Sequence, residues 1–190
     1  MIRKIICASV LFAASAISAL AVPILSVTPS SNNVTVGNTF SLFINIATVV
    51  DLYAWQLDLD FGPTGRLTVP VSPINPAVGD FLGAGQTFLK GTVDNSLATI
   101  IAMASSLSGP AGVSGSGILA SVQFNALTVG VSTISLSNLL LYDSNLDQIF
   151  PGAPLSATVN IVAGAEIPEP STFVLLGIGL ACGALVRRRL

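Results

Sequence analysis

An all-β sandwich is the fold this sequence predicts for its central part, and three observations predict it. Apolar and polar residues alternate in five separate stretches; turn-forming residues interrupt them at short intervals; and no segment before residue 170 carries convincing helical periodicity. A period of two sends successive side chains to opposite faces of a strand, so each run buries one face. Short strands punctuated by Gly, Pro, Asn and Asp argue a β-sandwich.

Met1 to Ala21 precedes these strands. It has Arg3 and Lys4 first, an apolar stretch from Ile5 to Leu20, and small residues at Ala19 and Ala21. That order predicts a secretory signal peptide (residues 1–21) cleaved before Val22. An uncleaved anchor helix is the alternative. Cys7 lies too early in the apolar stretch to be a lipoprotein cysteine.

The sandwich is expected over residues 22–162. "FSLFINI" sets Phe40, Leu42, Ile44 and Ile46 on one face, with Ser41 and Asn45 opposite. "LYAWQLDLDF" sets Tyr53, Trp55, Leu57, Leu59 and Phe61 inward, and Gln56, Asp58 and Asp60 outward. "ATIIAMAS" is a denser apolar run and predicts a central strand covered on both faces. "ILASVQFNAL" turns Ile118, Ala120, Val122 and Phe124 inward, and "SATVNIV" does the same with Ala157, Val159 and Ile161. "STISLSNLLLY" supplies a further strand. Turns fall at "TPSSNN", "FGPTG", "SPINPAVGD", "SGPAGVSGSG", "DSNLDQ" and "FPGAP". Residues 163–170 form a linker, and 171–190 a hydrophobic helix closed by Arg187, Arg188 and Arg189.

Charge narrows the partners. Between Val22 and Pro168 stand eight acidic and two basic side chains, a formal charge of −6. Such a surface repels phosphate backbones, so nucleic acid is excluded. Both cysteines, Cys7 and Cys182, lie in the terminal segments, so no disulfide staples the domain. The chain has no histidine, which removes the commonest general base and metal ligand. Asp58 and Asp60, about 7 Å apart along one strand, fall within the spacing of an inverting glycosidase pair. They lack the cleft and the burial that such a pair needs, and a solvated strand face explains them better. No catalytic residue and no cofactor is assigned. Asp143, Asn145 and Asp147 open a calcium-loop pattern, but Gln148 and Pro154 stand where an EF-hand requires Gly and Glu. A polar hairpin turn explains that run, with a looser Ca²⁺ site as the alternative. Trp55 is expected in the core; Tyr142, Phe81 and Phe88 lie near turns, where one of them can join a binding strip.

The apolar run Phe173 to Val186 has 14 residues. As a helix it reaches about 21 Å, against about 30 Å for a bilayer core. Three arginines after it hold that end on the cytoplasmic side. The segment reads as a temporary handle, with a lasting single-span anchor as the alternative.

Two resemblances extend this reading. Pro168, Glu169 and Pro170, the apolar run and the arginine cluster resemble the PEP-CTERM sorting signal of Gram-negative bacteria, over about 23 residues. The resemblance implies an exosortase-type membrane protease that cleaves near Pro-Glu-Pro, and delivery to the cell exterior. It also implies a setting of exopolysaccharide and biofilm. "VTVGNTFSLFINI", "VVDLYAWQLDLDF", "GDFLGAG", "GSGILASVQFNAL" and "VSTISLSNLLLYDSNLDQI", in that order, resemble a cohesin-like domain. That family implies a jelly-roll sandwich of about nine strands whose best-known members bind dockerins. The strand after "LDLDFGPTGRL" matches poorly, and no dockerin-binding residue transfers. The function expected is non-catalytic: an extracellular matrix or surface protein that binds polysaccharide. A protein–protein docking module is the alternative.

Overall fold

A computed structural model describes residues 22–164. The signal, Pro-Glu-Pro, apolar-tail and arginine expectations, apart from Val22 itself, lie outside those residues. Every regular element among them is a strand. In chain order these are β1 (Ile24–Pro29), β2 (Asn33–Thr35), β3 (Thr39–Asp60), β4 (Leu67–Thr68), β5 (Ala77–Val78) and β6 (Gln86–Leu89). They continue with β7 (Thr92–Asp94), β8 (Thr99–Leu107), β9 (Val113–Ala126), β10 (Gly130–Asp143), β11 (Gln148–Ile149) and β12 (Ala157–Val162). The all-β class is therefore as the sequence predicts.

β3 organises the molecule. Its apolar positions change parity midway: Phe40, Leu42, Ile44 and Ile46 are buried, then Trp55, Leu57 and Leu59. Between these runs Thr48 and Asp51 adopt φ of 57° and 56°, and the pairing with β9 slips twice. Left-handed residues of this kind bend a strand and re-aim its side chains. The strand folds over here, and two expected strands become halves of one. Val49 and Leu52 fill the corner, at 1% and 0% exposure.

The halves enter opposite layers. Residues 39–47 lie between β1 and β9, and β9 carries β4 and β5 on its far side. Residues 52–60 lie between β10 and β8, and β8 carries β6 and β7. β12 pairs antiparallel with the start of β10 and parallel with β2. The layers meet through aromatics: Phe124 stacks on Phe40 at 5.6 Å and takes the edge of Phe61 at 5.1 Å. That contact places both ends of β3 at one pole of the sandwich. The bend at Thr48–Asp51 lies at the other.

Three local expectations are corrected. β8 is central in hydrogen bonding, but among the described residues nothing covers its outer face, and Ile101 is 46% exposed. In β9, Leu119 is the extra residue of a bulge, so it is buried while Ile118 is only half-buried. Phe88 is no exposed strip residue: half-buried, it packs against Trp55 of the core, with ring centroids 6.1 Å apart. Phe81, half-buried, packs against the core, and its ring occupies the space beside Gly117.

The irregular segment between β4 and β7 is held by side-chain amides that act as backbone. Asn75 accepts from the Gln123 N–H at 2.9 Å and donates to its carbonyl at 3.0 Å. Asn95 makes the same reciprocal pair with Val69, at 2.8 and 3.1 Å. These pairs satisfy strand groups that would otherwise be left without partners at an edge.

Candidate functional site

Register alone defines a groove on the outer face of one layer. Across β10, β3, β8 and β6 the aligned residues are Tyr142, Ala54, Ser106 and Thr87, then Leu140, Gln56, Ala104 and Leu89. All eight point away from the core. Ala54, Ala104 and Ser106 are short, whereas the flanking Tyr142, Leu140 and Leu89 are long. Small residues on the middle strands between large ones on the outer strands leave a groove of about 330 Å³. Leu89 is 61% exposed on one wall.

The groove continues past Gln56 and Leu140 into a second hollow of about 360 Å³, lined by Asp58, Ile101, Ala102, Asn138 and Leu139. This end is polar, and Asp58 organises it. One carboxylate oxygen accepts from the Ala102 N–H at 2.7 Å, and the other from the Asn138 side-chain amide at 2.5 Å. Ala102 and Asn138 both have positive φ, 58° and 50°, and both sit where β3 pairing slips. Asp58 thus stands between two bulges, one on each neighbouring strand. Asn accepts left-handed backbone readily, but Ala is strained there by about 1–2 kcal/mol.

Asp60 does a separate job. It accepts from the Gly62 N–H at 2.9 Å and so shapes the "FGPTG" turn. The two carboxylates are therefore committed to different backbone groups and do not flank a common cleft.

At the bend of β3 another carboxylate joins three segments. Asp51 accepts from the Gly112 N–H at 2.9 Å and from the Ser144 hydroxyl at 2.6 Å. The Ser144 hydroxyl holds its pKa below the ordinary carboxylate value, helped by the Ser144 and Gly112 amides and opposed by partial burial. Gly112 is required by packing, because a Cβ there would lie 2.5 Å from the Asp51 carbonyl oxygen.

The "DSNLDQ" residues form the turn into β11. Asp143 accepts from the Asn145 and Asp147 N–H groups at 2.9 Å each, and Leu146 takes a φ of 65°. Asp143, Asn145 and Asp147 thus share a hairpin whose geometry their own hydrogen bonds explain. Among the described residues no three acidic, Cys or His side chains come together as a metal-ligand set.

Of the residues singled out in the sequence, Tyr142 is the one aromatic on the groove, and Trp55 is buried as expected, at 2% exposure. The sequence reading missed Ala54, Ala104, Leu89 and Leu140. The available signal was the interruption of outward polar positions by Ala and Leu in "LYAWQ", "IAMAS" and "NLLLY".

The sandwich is similar to solved cohesin domains. A non-cellulosomal cohesin from the hyperthermophilic archaeon Archaeoglobus fulgidus is similar, with TM-score 0.59 and 19% identity, covering 75% of this chain and 92% of that one. The second type II cohesin module of the ScaA scaffoldin of Acetivibrio cellulolyticus gives TM-score 0.62 and 16% identity, covering 80% and 97%. A type I cohesin–dockerin complex from Clostridium thermocellum gives TM-score 0.58 and 13% identity, covering 75% and 100%. No curated protein matches the chain in sequence. Residues 166–189 match the PEP-CTERM protein-sorting motif. The chain thus carries a PEP-CTERM sorting motif behind a domain of cohesin-like fold.

Proposed function

We propose that this protein is an exported surface module that docks a protein partner on the open face of the β10–β3–β8–β6 sheet. The observation that carries this reading is the composition of the groove. Aliphatic walls from Leu140 and Leu89 enclose a floor of Ala54 and Ala104, and polar Gln56, Ser106, Thr87 and Asp58 surround it. An apolar centre with a polar margin suits a protein interface. The similar Clostridium thermocellum cohesin is in complex with a dockerin, and this supports a protein occupant by fold analogy.

Polysaccharide, the first expectation, has less support. A sugar platform on the groove needs an exposed aromatic ring there, yet Trp55 is buried, Phe88 and Tyr142 are half-buried, and the exposed Phe150 does not line the groove. No catalysis is assigned, since Asp58 and Asp60 are each engaged with backbone and lie on an open face. In this reading the signal peptide ends at Ala21. An exosortase-type protease then acts near Pro168, Glu169 and Pro170 while the apolar tail and Arg187–Arg189 hold the chain in the inner membrane. The mature domain reaches the surface of a Gram-negative cell.

The test is capture from envelope extract by wild-type protein and by Leu140→Asp. A discrete protein retained by wild type and lost by the variant is the expected result. Saturable binding of purified exopolysaccharide, abolished by the same substitution, would instead assign the groove to glycan.

A further inference from the structure

The pole from which the sorting tail leaves has an unusual surface. Val36 donates to the Val162 carbonyl at 3.0 Å, Gly37 to Ala126 at 2.8 Å, and Leu127 to Arg66 at 2.8 Å. Arg66 in turn donates through Nη1 to the Val129 carbonyl at 3.2 Å. These bonds gather the β9–β10 turn, the loop after β2 and the end of β12 into one patch. Its exposed side chains are aliphatic: Val129 is 58% exposed, Val131 51%, Leu127 45%, and Val36 and Val162 36% each. Leu127 and Val129 stand at the tip of a hairpin, where polar residues are usual.

We propose that this pole is a membrane-contact surface, seated on lipid headgroups while the tail is in the bilayer. The proposal rests on reading residues 171–190 as a membrane-held tail. Nine residues carry the chain from Gly164 to Phe173, where the apolar run begins. Fully extended they span about 30 Å, so the patch cannot travel far from the lipid surface. The domain is acidic, and an anionic leaflet repels it. The contact is therefore made by uncharged aliphatic groups entering the headgroup layer, with the Arg66 guanidinium beside them for lipid phosphate. Asp60 and Asp94 lie at the same pole, and each carboxylate accepts from its own turn, Asp60 from Gly62 and Asp94 from Ser96 and Leu97. The opposite pole also exposes aliphatic side chains, Leu146 at 68%, Val50 at 59% and Val22 at 56%, but it lies at the far end of the domain from Gly164, where the chain leaves toward the tail.

The experiment uses the full chain in vesicles of phosphatidylethanolamine and phosphatidylglycerol, with an environment-sensitive fluorophore at one cysteine at a time. Native Cys182 reports the tail. Leu127→Cys and Val129→Cys report the proposed contact, and Leu146→Cys the opposite pole, each with Cys7 and Cys182 replaced by serine. The expected result is blue-shifted emission, quenched by nitroxide lipid, at Cys182 and at positions 127 and 129, with position 146 in water. Cys182 in lipid with 127 and 129 in water overturns the contact and leaves the tail reading intact. Cys182, 127 and 129 all in water overturns both. Quenching at 146 equal to that at 127 overturns a contact specific to this pole.

Discussion

The two outer faces of the sandwich obey the same alternation and end in different chemistry. On the layer of β1, β3 residues 39–47 and β9, the outward residues are mostly hydroxyls and amides: Ser26, Thr28, Ser41, Asn45, Ser121, Gln123 and Asn125, with Ile24 and Phe43 as exceptions. Several bond among themselves or are built upon. Asn45 donates to Thr28 Oγ1 at 3.1 Å, and the Asn75 amide covers the backbone of Gln123. On the layer of β10, β3 residues 52–60, β8 and β6, aliphatic and small side chains replace them and form the groove. A period of two says which residues face outward but not what that face is for. An outward set that satisfies itself needs no partner, whereas an outward aliphatic set stays unpaired until something covers it.

Both faces rest on one core, so the largest effect should come from removing its centre. Trp55→Ala should destabilise the domain by about 3–5 kcal/mol in urea unfolding, because the cavity beneath Phe88 cannot close fully. Loss of under 1 kcal/mol would mean that the layers do not share this packing. Asp58→Ala is the next test. It leaves the Ala102 N–H and the Asn138 amide without their acceptor and should cost about 1–3 kcal/mol. Asn45→Ala on the opposite face should cost less, about 0.5–1.5 kcal/mol, for its bonds to Thr28 Oγ1 and the Phe43 carbonyl. Equal losses would erase the distinction between a bulge-bridging carboxylate and an ordinary surface bond.

Acid should act on the framework that joins the faces. Asp51 is depressed chiefly by the Ser144 hydroxyl, and Asp94 by the Ser96 hydroxyl followed by the Leu97 and Ser96 amides. A carboxyl whose folded pKa lies below its unfolded value of about 3.9 contributes stability above that value. The contribution is lost as pH falls through the folded pKa, because protonation then costs the folded state its acceptor. Urea midpoints should thus fall between pH 5 and pH 2, and fall less steeply in Asp51→Asn. Identical slopes would remove Asp51 from the account. Ala102→Gly is a smaller test with the opposite sign. Relief of the left-handed alanine should raise stability by up to about 1 kcal/mol. The smallest effects on folding belong to the faces themselves: Leu140→Asp and Gln123→Asp should each stay within about 0.5 kcal/mol. Only the first should abolish partner capture.

Much of this architecture could be read from the chain. The inward sets of "FSLFINI", "LYAWQLDLDF" and "SATVNIV" follow from local alternation, except at Tyr53, which is half-buried where the pairing with β10 slips and Leu52 takes the core position. Where alternation failed, a bulge intervened, as at Leu119, or an expected cover was missing, as over Ile101. Neither leaves a local trace, because a bulge depends on the partner strand's register.

Sequence by itself determined the class of fold, the buried parity of the main strands, the place of Trp55 and the Pro-Glu-Pro sorting motif. Each depends on the order of residues within a short window. Tertiary structure alone decided that β3 folds over at Thr48 and Asp51, and that Asp58 spans the bulges at Ala102 and Asn138. It also decided that Ala54, Ala104, Leu140 and Leu89, up to 86 positions apart in the chain, share one groove. Those outcomes rest on pairings between distant strands, whose register is settled only when both layers close on the common core.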